Sequence, residues 1–416
     1  MNSLLLYFKA AFRALKANLG RSLLTTLGII IGIVTVIMVF SLGKATQNVI
    51  TSELEGYGSN LIVVETKIPG FSDTNPGMAT AMVEGITVTT LKESDMEEVL
   101  KIPNIINGYA GIVGLERVIS LYEDQKYMIQ ASNAAFIDID QSEVIVGRFY
   151  SEAENKSLAR VAVIGDTVAK ELFPNVDPLN QSIRIKGINF KIIGVMKPLG
   201  IVFFQNMDDQ VYLPLKTMQK LIMGINHIPY FMVQIEDETQ ALFLKDEIIQ
   251  LLDQRHSIKN PDRRDFRVTT MGEAMDLLNI VTGALQILLL VLAAIALLVG
   301  GIGVMNVMFV VVTERTREIG LRKAIGAPPR AILLQFLTEA ITITVVGGII
   351  GIIAGLLAVY GSISLAQYFG VKIDFFIPYK GIVIAISAAL LEGLLFGVYP
   401  AKKAASLNPI ESLRYE

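Results

Sequence analysis

Four long apolar segments constrain the fold of this chain more than any other feature of its sequence. They cover residues 23–42, 280–312, 331–365 and 381–400. Each is long enough to cross a bilayer as an α-helix, because a hydrocarbon core of ~30 Å needs about 20 apolar residues. The mean hydropathy of +0.53 is also too high for an ordinary soluble protein. The sequence therefore predicts a membrane α-helical protein with four transmembrane helices.

Charge is divided unevenly between the polar block that follows the first span and the rest of the chain. Residues 46–276 hold 21 Lys and Arg and 32 Asp and Glu, a net charge of −11. The remainder holds 15 Lys and Arg and 7 Asp and Glu, a net charge of +8. Basic loops favour the cytoplasmic side of a membrane. We therefore predict that both termini and the loop at 313–330 are cytoplasmic, and that the acidic block is extracytoplasmic.

The acidic block carries the sequence pattern of an α+β domain. A strand–helix–strand unit is predicted between residues 61 and 131, and a second one between residues 230 and 270. Two such units separated in sequence favour a split βαβ arrangement. Residues 141–214, which lie between the units, are rich in strand patterns and predict an inserted β-rich subdomain. The segment at 68–88, with its Gly, Pro and Asn residues, predicts a mobile loop.

Two further patterns set the boundaries of the predicted segments. Near the N-terminus, Leu and Phe are interleaved with Lys and Arg at helical spacing, which predicts an amphipathic helix on the inner lipid surface. The second span, at about 50 Å, is longer than a bilayer and predicts a stalk beyond the membrane. In chain order the predicted segments are the amphipathic helix (1–21), the first span (22–45), the extracytoplasmic domain (46–276), the second span with its stalk (277–312), the cytoplasmic loop (313–330), the third span (331–365), the fourth span (381–400) and the cytoplasmic tail (401–416).

A dense run of charges, which favours a short surface helix, separates the second and third spans. Glu318 and Arg322 are four residues apart and can form an ion pair along such a helix. A charged surface of this kind either is solvated and touches lipid phosphates, or binds a soluble partner. The candidate residues for such binding are Glu314, Arg315, Arg317, Glu318, Ile319, Leu321, Arg322 and Lys323.

Glycines recur at four-residue spacing within the predicted spans. This spacing lets helix backbones approach closely in lipid, although a single motif of this kind also arises by chance. The candidates for helix packing are Gly28 and Gly32 on the first span, Gly347, Gly351 and Gly355 on the third, and Gly393 and Gly397 on the fourth. We predict close packing within one subunit, with the first and second spans free to contact a second subunit.

Three polar residues, Asn306, Glu339 and Glu392, lie inside predicted spans, where an unpaired carboxylate is costly. The two glutamates have a similar predicted depth, about 12 Å from the cytoplasmic ends of their helices. A polar cluster that links three helices is one interpretation. The alternatives are side chains that reach the membrane interface separately, or a proton pathway.

The sequence shows no pattern for intrinsic catalysis. A phosphate-binding loop needs G-x-x-x-x-G-K-[ST], and the nearest approach, at Gly43 and Lys44, lacks both the earlier glycine and the hydroxyl. The two histidines, His227 and His256, are far apart and no cysteine accompanies them, so no metal site is predicted. We expect a protein without catalytic residues or a cofactor of its own, and without a nucleic-acid partner.

Several sequence blocks carry a resemblance to a known family. They are RSLLTTLGIIIGI at 21–33, GGIGVMNVMFVVVTERTREIGLRKAIGA at 300–327, FLTEA at 336–340 and GVYPAKKAASLNPIESLRYE at 397–416. Through these blocks the chain resembles the MacB-type permeases of ABC transporters, which are also called FtsX-like permeases. Weaker matches lie in the acidic block, so the resemblance extends over nearly the whole chain.

The resemblance implies an architecture and a location. The extracytoplasmic domain would combine a porter-like split βαβ part with the inserted subdomain, and two copies would form a homodimer in a bacterial inner (cytoplasmic) membrane. The segment at 313–327 would be a coupling helix that binds an ABC ATPase on a separate subunit, and ATP and Mg²⁺ would bind that ATPase. The residues that face the ATPase would be Arg315, Arg317, Glu318 and Arg322, and the anchors would be Ile319 and Leu321.

The function implied by the resemblance is efflux by mechanotransmission, in which ATP-driven motion is relayed through the membrane to the extracytoplasmic domain. A membrane-fusion adaptor protein would be a further partner. Two alternatives share this architecture. One is release of lipoproteins from the membrane. The other is an FtsX-like signalling scaffold that controls a cell-wall hydrolase, although an extracytoplasmic block of over 200 residues is large for that group.

Overall fold

The computed structural model describes residues 19–57, 60–69, 87–140, 142–174, 176–202, 205–368 and 375–413. Most of the predicted amphipathic helix at 1–21 and of the predicted loop at 68–88 lies outside these residues. The chain divides into two compact units. We call residues 1–49 with 279–416 the membrane unit, and residues 50–278 the sheet unit.

The α-helices of five or more residues are numbered in chain order. They are α1 (Leu19–Tyr57), α2 (Glu93–Val99), α3 (Glu152–Lys156), α4 (Asp166–Leu172), α5 (Ala241–Arg255), α6 (Met271–Glu314), α7 (Thr316–Ala324), α8 (Pro329–Tyr368), α9 (Tyr379–Ser406) and α10 (Pro409–Leu413).

The strands all belong to the sheet unit. They are β1 (Leu61–Thr66), β2 (Ile105–Ile119), β3 (Asp124–Ser132), β4 (Val144–Gly147), β5 (Val161–Ile164), β6 (Ser182–Ile185), β7 (Ile188–Met196), β8 (Ile201–Val202), β9 (Gln205–Asn206), β10 (Gln210–Pro214), β11 (Tyr230–Ile235) and β12 (Phe266–Thr270).

One large sheet connects nearly all of these strands in the order β12-β1-β11-β2-β3-β10-β5-β7-β4, and β6 pairs with both β2 and β7. Its first four strands are antiparallel and interleave the two predicted strand–helix–strand units, since β1 lies between β12 and β11. This is the predicted split βαβ arrangement. Strand β10 pairs with β3 on one side and β5 on the other, so the inserted strands continue the same sheet. The predicted fold class is confirmed.

Helix α5 covers the split βαβ part of the sheet because its apolar residues recur at helical spacing. Leu244, Ile248 and Leu252 are buried in one cluster with sheet residues such as Phe231 and Phe266. Full burial of a side chain of this size stabilises a fold by ~1.5–3 kcal/mol. The spacing of these residues therefore fixes which face of α5 meets the sheet.

A buried group of charges joins the C-terminal end of α5 to α2. The Nδ1 atom of His256 lies 2.9 Å from Asp265 Oδ1, and its Nε2 atom lies 3.4 Å from Asp95 Oδ2. The Arg255 Nε atom donates to Asp95 Oδ1 at 2.8 Å. Hydrogen bonds to Asp265 and then Asp95 raise the pKa of His256 to about 9. Burial alone would raise the pKa of Asp95, but the hydrogen bonds from His256 and Arg255 hold it below its usual value.

Four helices of the described residues are long and apolar enough to cross a membrane, and they correspond to α1, α6, α8 and α9. The four predicted spans are confirmed. The structure extends α6 to 44 residues and α8 to 40 residues, beyond the predicted 277–312 and 331–365. A count of apolar residues misses this extra length, because the ends of both helices contain charged or polar residues.

Glycine contacts bring α1 against α6. A Cβ atom added to Gly28 would lie 2.8 Å from the Cα atom of Gly300, so the two backbones touch. One turn later, a Cβ atom on Gly32 would lie 2.7 Å from Leu297 Cγ. Residue numbers rise along α1 as they fall along α6, so these helices are antiparallel. The glycine face of α1 is thus used within the chain.

The glycines of α8 and α9 also lie at helix contacts. Gly351 and Gly355 face Ile33 and Ile37 of α1, with added Cβ atoms at 3.0 and 2.9 Å. Gly393 and Gly397 of α9 face α8, where their nearest atoms are Thr344 Oγ1 and Ala340 Cβ. Gly347 is buried. Gly348, which the four-residue spacing missed, makes a close approach to Ala389 Cβ at 2.9 Å.

Candidate functional site

A local break in the helix separates α6 from α7 at the start of the predicted coupling segment. Arg315 is the one residue between the two helices, and its φ of −103° and ψ of 14° are not helical. The buried Thr316 hydroxyl donates to the Val312 carbonyl at 3.0 Å and holds the start of α7 on the end of α6. After α7, Gly326 adopts a φ of +100°, a conformation that favours glycine and ends a helix.

One face of α7 is buried against the end of the chain. Ile319 is 3% exposed, and a Cβ atom on Gly320 would lie 2.6 Å from Ser412 Cβ in α10. Leu321, by contrast, is 55% exposed. The prediction that Ile319 and Leu321 both anchor α7 is therefore wrong for Leu321. Two residues along an α-helix point about 200° apart, so they cannot share one buried face.

Arg315 faces the membrane helices rather than outward. Its Nη1 atom lies 3.3 Å from Oε2 of Glu339 on α8, and Glu339 is buried. The prediction that Arg315 faces a partner is therefore wrong in this structure. A buried carboxylate is costly without a cation or hydrogen bonds, which accounts for the inward turn of Arg315.

Arg322 makes a second link between α7 and α8. It donates to Gln335 Oε1 at 2.6 Å and pairs with Glu318 one turn earlier on α7. The predicted ion pair between Glu318 and Arg322 is thus present. Both side chains remain about half exposed, so the pair contributes at most about 0.5 kcal/mol and mainly orients Arg322.

Lys323 links α7 to the end of α9. Its ammonium donates to the carbonyl oxygens of Ala405 at 2.8 Å and Leu407 at 2.6 Å. The last carbonyls of a helix lack intrahelical partners and carry the negative end of its dipole. A lysine in this position satisfies them and favours one placement of α7 on α9.

The outward surface of α7 consists of both charged and apolar side chains. Arg317 and Leu321 are exposed, Glu314 and Glu318 lie on the same exposed stretch, and Ile325 is 80% exposed. We call these five residues the α7 surface. Ile325 was not among the predicted residues, because the sequence alone does not distinguish an exposed isoleucine beside a glycine from a buried one. Leu321 and Ile325 are thus apolar side chains exposed among charged ones.

The predicted polar cluster of Asn306, Glu339 and Glu392 does not form. Asn306 lies on an exposed face of α6, and Glu339 pairs with Arg315. The contacts of Gly393 and Gly397 with α8 place Glu392 and Glu339 about 9 Å apart along the helix axes. Glu392 is 5% exposed, and within the described residues neither of its carboxylate oxygens has a hydrogen-bond partner. The residue count misjudged the depth of Glu392 because α9 continues to Ser406, beyond the predicted end of the fourth span at residue 400.

Comparison with known proteins adds to this description. A family profile described as the MacB-like periplasmic core domain matches residues 22–251, and a profile described as the FtsX-like permease C-terminal domain matches residues 290–409. The periplasmic region of MacB from Actinobacillus actinomycetemcomitans is a solved structure with a TM-score of 0.45 and 18% identity, and the similarity covers 55% of this chain and 97% of that one.

Curated relatives are similar over almost the whole chain. The macrolide export ATP-binding/permease protein MacB of Bdellovibrio bacteriovorus is 36% identical over 411 residues, which are 97% of this chain and 61% of the relative. MacB of an Azoarcus species is 36% identical over 421 residues, which are 100% of this chain and 60% of the relative. This chain thus spans about three fifths of the length of these relatives. With one profile covering more than half of its residues and the other covering α7 and its neighbours, the chain belongs to the family of MacB-like, FtsX-like permeases of ABC transporters.

Proposed function

We propose that this chain is the permease subunit of an efflux transporter in a bacterial inner (cytoplasmic) membrane, and that α7 receives the motion of an ABC ATPase. The observation that carries the proposal is the way α7 is held. It contacts α8 through Arg315 and Arg322, α9 through Lys323, and α10 through Gly320. A partner that binds the α7 surface therefore acts on the ends of two membrane helices at once.

These contacts support mechanotransmission as the mechanism. The ion pair of Arg315 with Glu339, at 3.3 Å, and the hydrogen bonds from Lys323 to Ala405 and Leu407, at 2.8 and 2.6 Å, connect this segment to α8 and α9, so a tilt of α7 would change the position of both helices. A helix transmits such a displacement along its length because its backbone is stiff. Substrate would then be moved by the extracytoplasmic domain, without crossing between the helices.

The orientation that this mechanism needs is supported by charge. The loop that contains α7 is basic, and the sheet unit lies within the block of net charge −11. Basic loops remain in the cytoplasm, so α7 would meet a cytoplasmic ATPase and the sheet unit would be extracytoplasmic. We propose that ATP and Mg²⁺ bind a separate ATPase subunit that contacts α7.

The other partners are a second permease copy and a membrane-fusion adaptor protein. Among the four spanning helices, α6 has the smallest buried share, with exposed residues such as Ile287 and Leu292 along its length. That face would meet either lipid or a second copy in a homodimer. The relatives compared above are named as macrolide exporters, which makes macrolides the first compounds to test as substrates.

The first experiment is purification of the tagged chain from its own host in mild detergent, followed by mass spectrometry. An ABC ATPase should copurify. The variant Arg317→Glu, combined with Leu321→Asp, should lose that ATPase at least tenfold, because both side chains are exposed on the α7 surface. Lys402→Glu is the matched control, since it reverses an exposed charge at the end of α9 and should retain the ATPase.

Topology can be tested separately because the sequence contains no cysteine. Single cysteines introduced at Lys126 and Arg317 would be labelled in intact cells with a membrane-impermeant maleimide. We expect labelling at position 126 and none at position 317 until the membrane is permeabilised. Retention of the ATPase by the double variant, or the reverse labelling pattern, would contradict the proposal.

A further inference from the structure

The sheet unit contains a cleft of about 680 Å³ between α5, β12 and the first turns of α6. Its volume lies within the ~300–1,000 Å³ range of ligand sites. Four consecutive strand residues, Phe266 through Thr269, line it. Side chains of a strand alternate between the two faces of a sheet. A cavity that touches four consecutive residues must therefore run along the backbone edge of β12.

That edge is open for hydrogen bonding. Within the described residues β12 is the end strand of the sheet and pairs with β1. The Lys67 amide donates to the Asp265 carbonyl at 2.8 Å, and pairs that exchange such bonds recur every second residue. Arg267 and Thr269 thus face β1, while the N–H and C=O groups of Phe266 and Val268 point toward the cleft.

A neighbouring contact confirms this register. Thr270 is two residues after Val268, so its backbone N–H group points to the same side of β12. This amide donates to Glu273 Oε2 at 3.1 Å on the cleft side. The Thr270 hydroxyl in turn accepts from the Glu273 amide at 3.2 Å and caps the start of α6. The outward groups of β12 are therefore used by α6 at Thr270 and lie along the cleft at Phe266 and Val268.

The lining of the cleft contains both apolar and charged side chains. Ile249 of α5 lines it together with Leu277 and Leu278 of α6, which are 45% and 39% exposed. The charged groups of the lining are Lys245, Arg264, Arg267 and Glu273. Each of the three cations is ion-paired, Lys245 with Glu273 at 2.5 Å, Arg264 with Asp253 at 2.7 Å and Arg267 with Glu65 at 2.6 Å. Asp253 and Glu65, which pair with Arg264 and Arg267, are not part of the lining.

We propose that the cleft binds an extended segment of a partner protein, which adds to the sheet as a strand beside β12. Strand addition uses the open backbone groups of an edge and gains specificity from alternate side chains. The apolar walls fit apolar side chains on one face of such a segment, and the outward N–H and C=O groups of Phe266 and Val268 fit its backbone. A helical ligand would leave the backbone groups of Phe266 and Val268 without partners. This interaction does not depend on coupling of α7 to an ATPase.

Selection from a library of displayed decapeptides, with the full chain in detergent as the target, tests the proposal. Enriched peptides should alternate apolar residues with other residues. On binding, the amides of Phe266 and Val268 should exchange hydrogen at least tenfold more slowly. Amides of β4, at the other edge of the sheet, are the internal control and should be unchanged.

Backbone pairing is isolated by two matched comparisons. Two N-methylated forms of a selected peptide are compared, one methylated at its odd-numbered amides and one at its even-numbered amides. The form whose methyl groups face β12 should bind at least tenfold more weakly, and the other form should bind nearly as well as the unmodified peptide. In the protein, Val268→Pro removes an outward N–H while the bonds of Arg267 and Thr269 to β1 remain, and Pro is tolerated on an edge strand. It should bind at least tenfold more weakly than Val268→Ala.

Three results would overturn the proposal. The first is a library selection that enriches no peptide dependent on Val268. The second is equal affinity for the peptide methylated at odd-numbered amides and the peptide methylated at even-numbered amides. The third is concentration-dependent protection of Phe266 and Val268 in the absence of peptide, which would assign the edge to a second copy of the chain instead.

Discussion

In the sheet unit the largest fully buried side chains include Tyr127, Phe190 and Phe231, whereas in the membrane unit glycines such as Gly28 and Gly351 lie at helix contacts. The difference reflects the solvent. In water, burial of a large apolar side chain is itself the driving force. In lipid, the tails are as apolar as the protein interior, so helices associate through close contact of their surfaces. A glycine in the membrane unit is therefore equivalent in importance to an aromatic residue in the sheet unit.

The largest expected effect comes from filling the contact of α1 with α6. Gly28→Leu places a side chain where the Gly300 backbone lies and should cost about 3 kcal/mol or more. Gly283→Leu is the control, because a Cβ atom at Gly283 meets nothing within 4 Å. Thermal unfolding of both variants in the same detergent measures the difference. Equal stability of the two variants would mean that the glycine contact is not what holds these helices together.

Truncation of one buried isoleucine in each unit compares the stability that apolar burial contributes to each. Ile62 in β1 and Ile33 in α1 are both fully buried. Ile62→Ala should destabilise the sheet unit by about 3 kcal/mol, since it loses both transfer and packing energy. Ile33→Ala should cost only about 1–2 kcal/mol, because the lipid reference state removes most of the transfer energy. Susceptibility to proteolysis over a denaturant series, read for each unit, gives both values.

The stability of the sheet unit should depend on pH, whereas that of the membrane unit should not. The pKa of His256 is about 9 in the folded sheet unit and its unperturbed value is 6.5, so protonation stabilises the fold. This contribution is complete below pH ~6.5 and is lost as pH rises through about 9; after allowance for solvent screening it amounts to about 2 kcal/mol. Hydrogen exchange is measured at pH 6 and pH 9.5 and corrected for the pH dependence of the intrinsic exchange rate. The amides of α5 should be less protected at the higher pH.

The matched variant for this test is His256→Asn, which keeps a polar group but cannot be protonated. Its sheet unit should be less stable than the native one at pH 6 and nearly independent of pH between 6 and 9.5. The amides of α8 should show no such dependence in either protein. A pH response of equal size in His256→Asn would assign the effect to another group.

The smallest expected effect concerns the link between α7 and α9. Lys323→Met removes the hydrogen bonds to Ala405 and Leu407 and should cost about 1 kcal/mol, the usual scale for a cation at a helix C-terminus. Faster hydrogen exchange in the last turn of α9 measures it. Lys402→Met changes the same charge nearby and should leave that turn unaffected.

Apolar length and strand periodicity were sufficient to predict the four spans and most strands of the sheet unit. The same information could not predict which partner each residue meets. Arg315 and Glu339 are 24 residues apart, and their ion pair follows from the turn at Arg315, which no local pattern indicates. Spacing at four residues identified Gly351 and Gly355 but missed Gly348, because the contact of α8 with α9 lies on a different face from its contact with α1.

The order of the strands was likewise beyond local patterns. Two strand–helix–strand units were predicted, and the structure inserts β1 between β11 and β12, which follow it by well over 100 residues. Such pairings depend on how the helices cover the sheet. The α7 site shows the same limit, because the choice between Ile319 and Leu321 as an anchor depends on α10, which lies beside Gly320.

The open edge of β12 has a practical consequence for anyone who studies the sheet unit in isolation. Met271 through Leu278 form one side of the cleft, so a fragment that ends at Thr270 would leave the strand without its neighbouring helix. Uncovered edges join one another in solution. Crystals or scattering curves from such a truncated fragment would then report an artificial multimer, and the first two turns of α6 should be retained in any fragment used for these measurements.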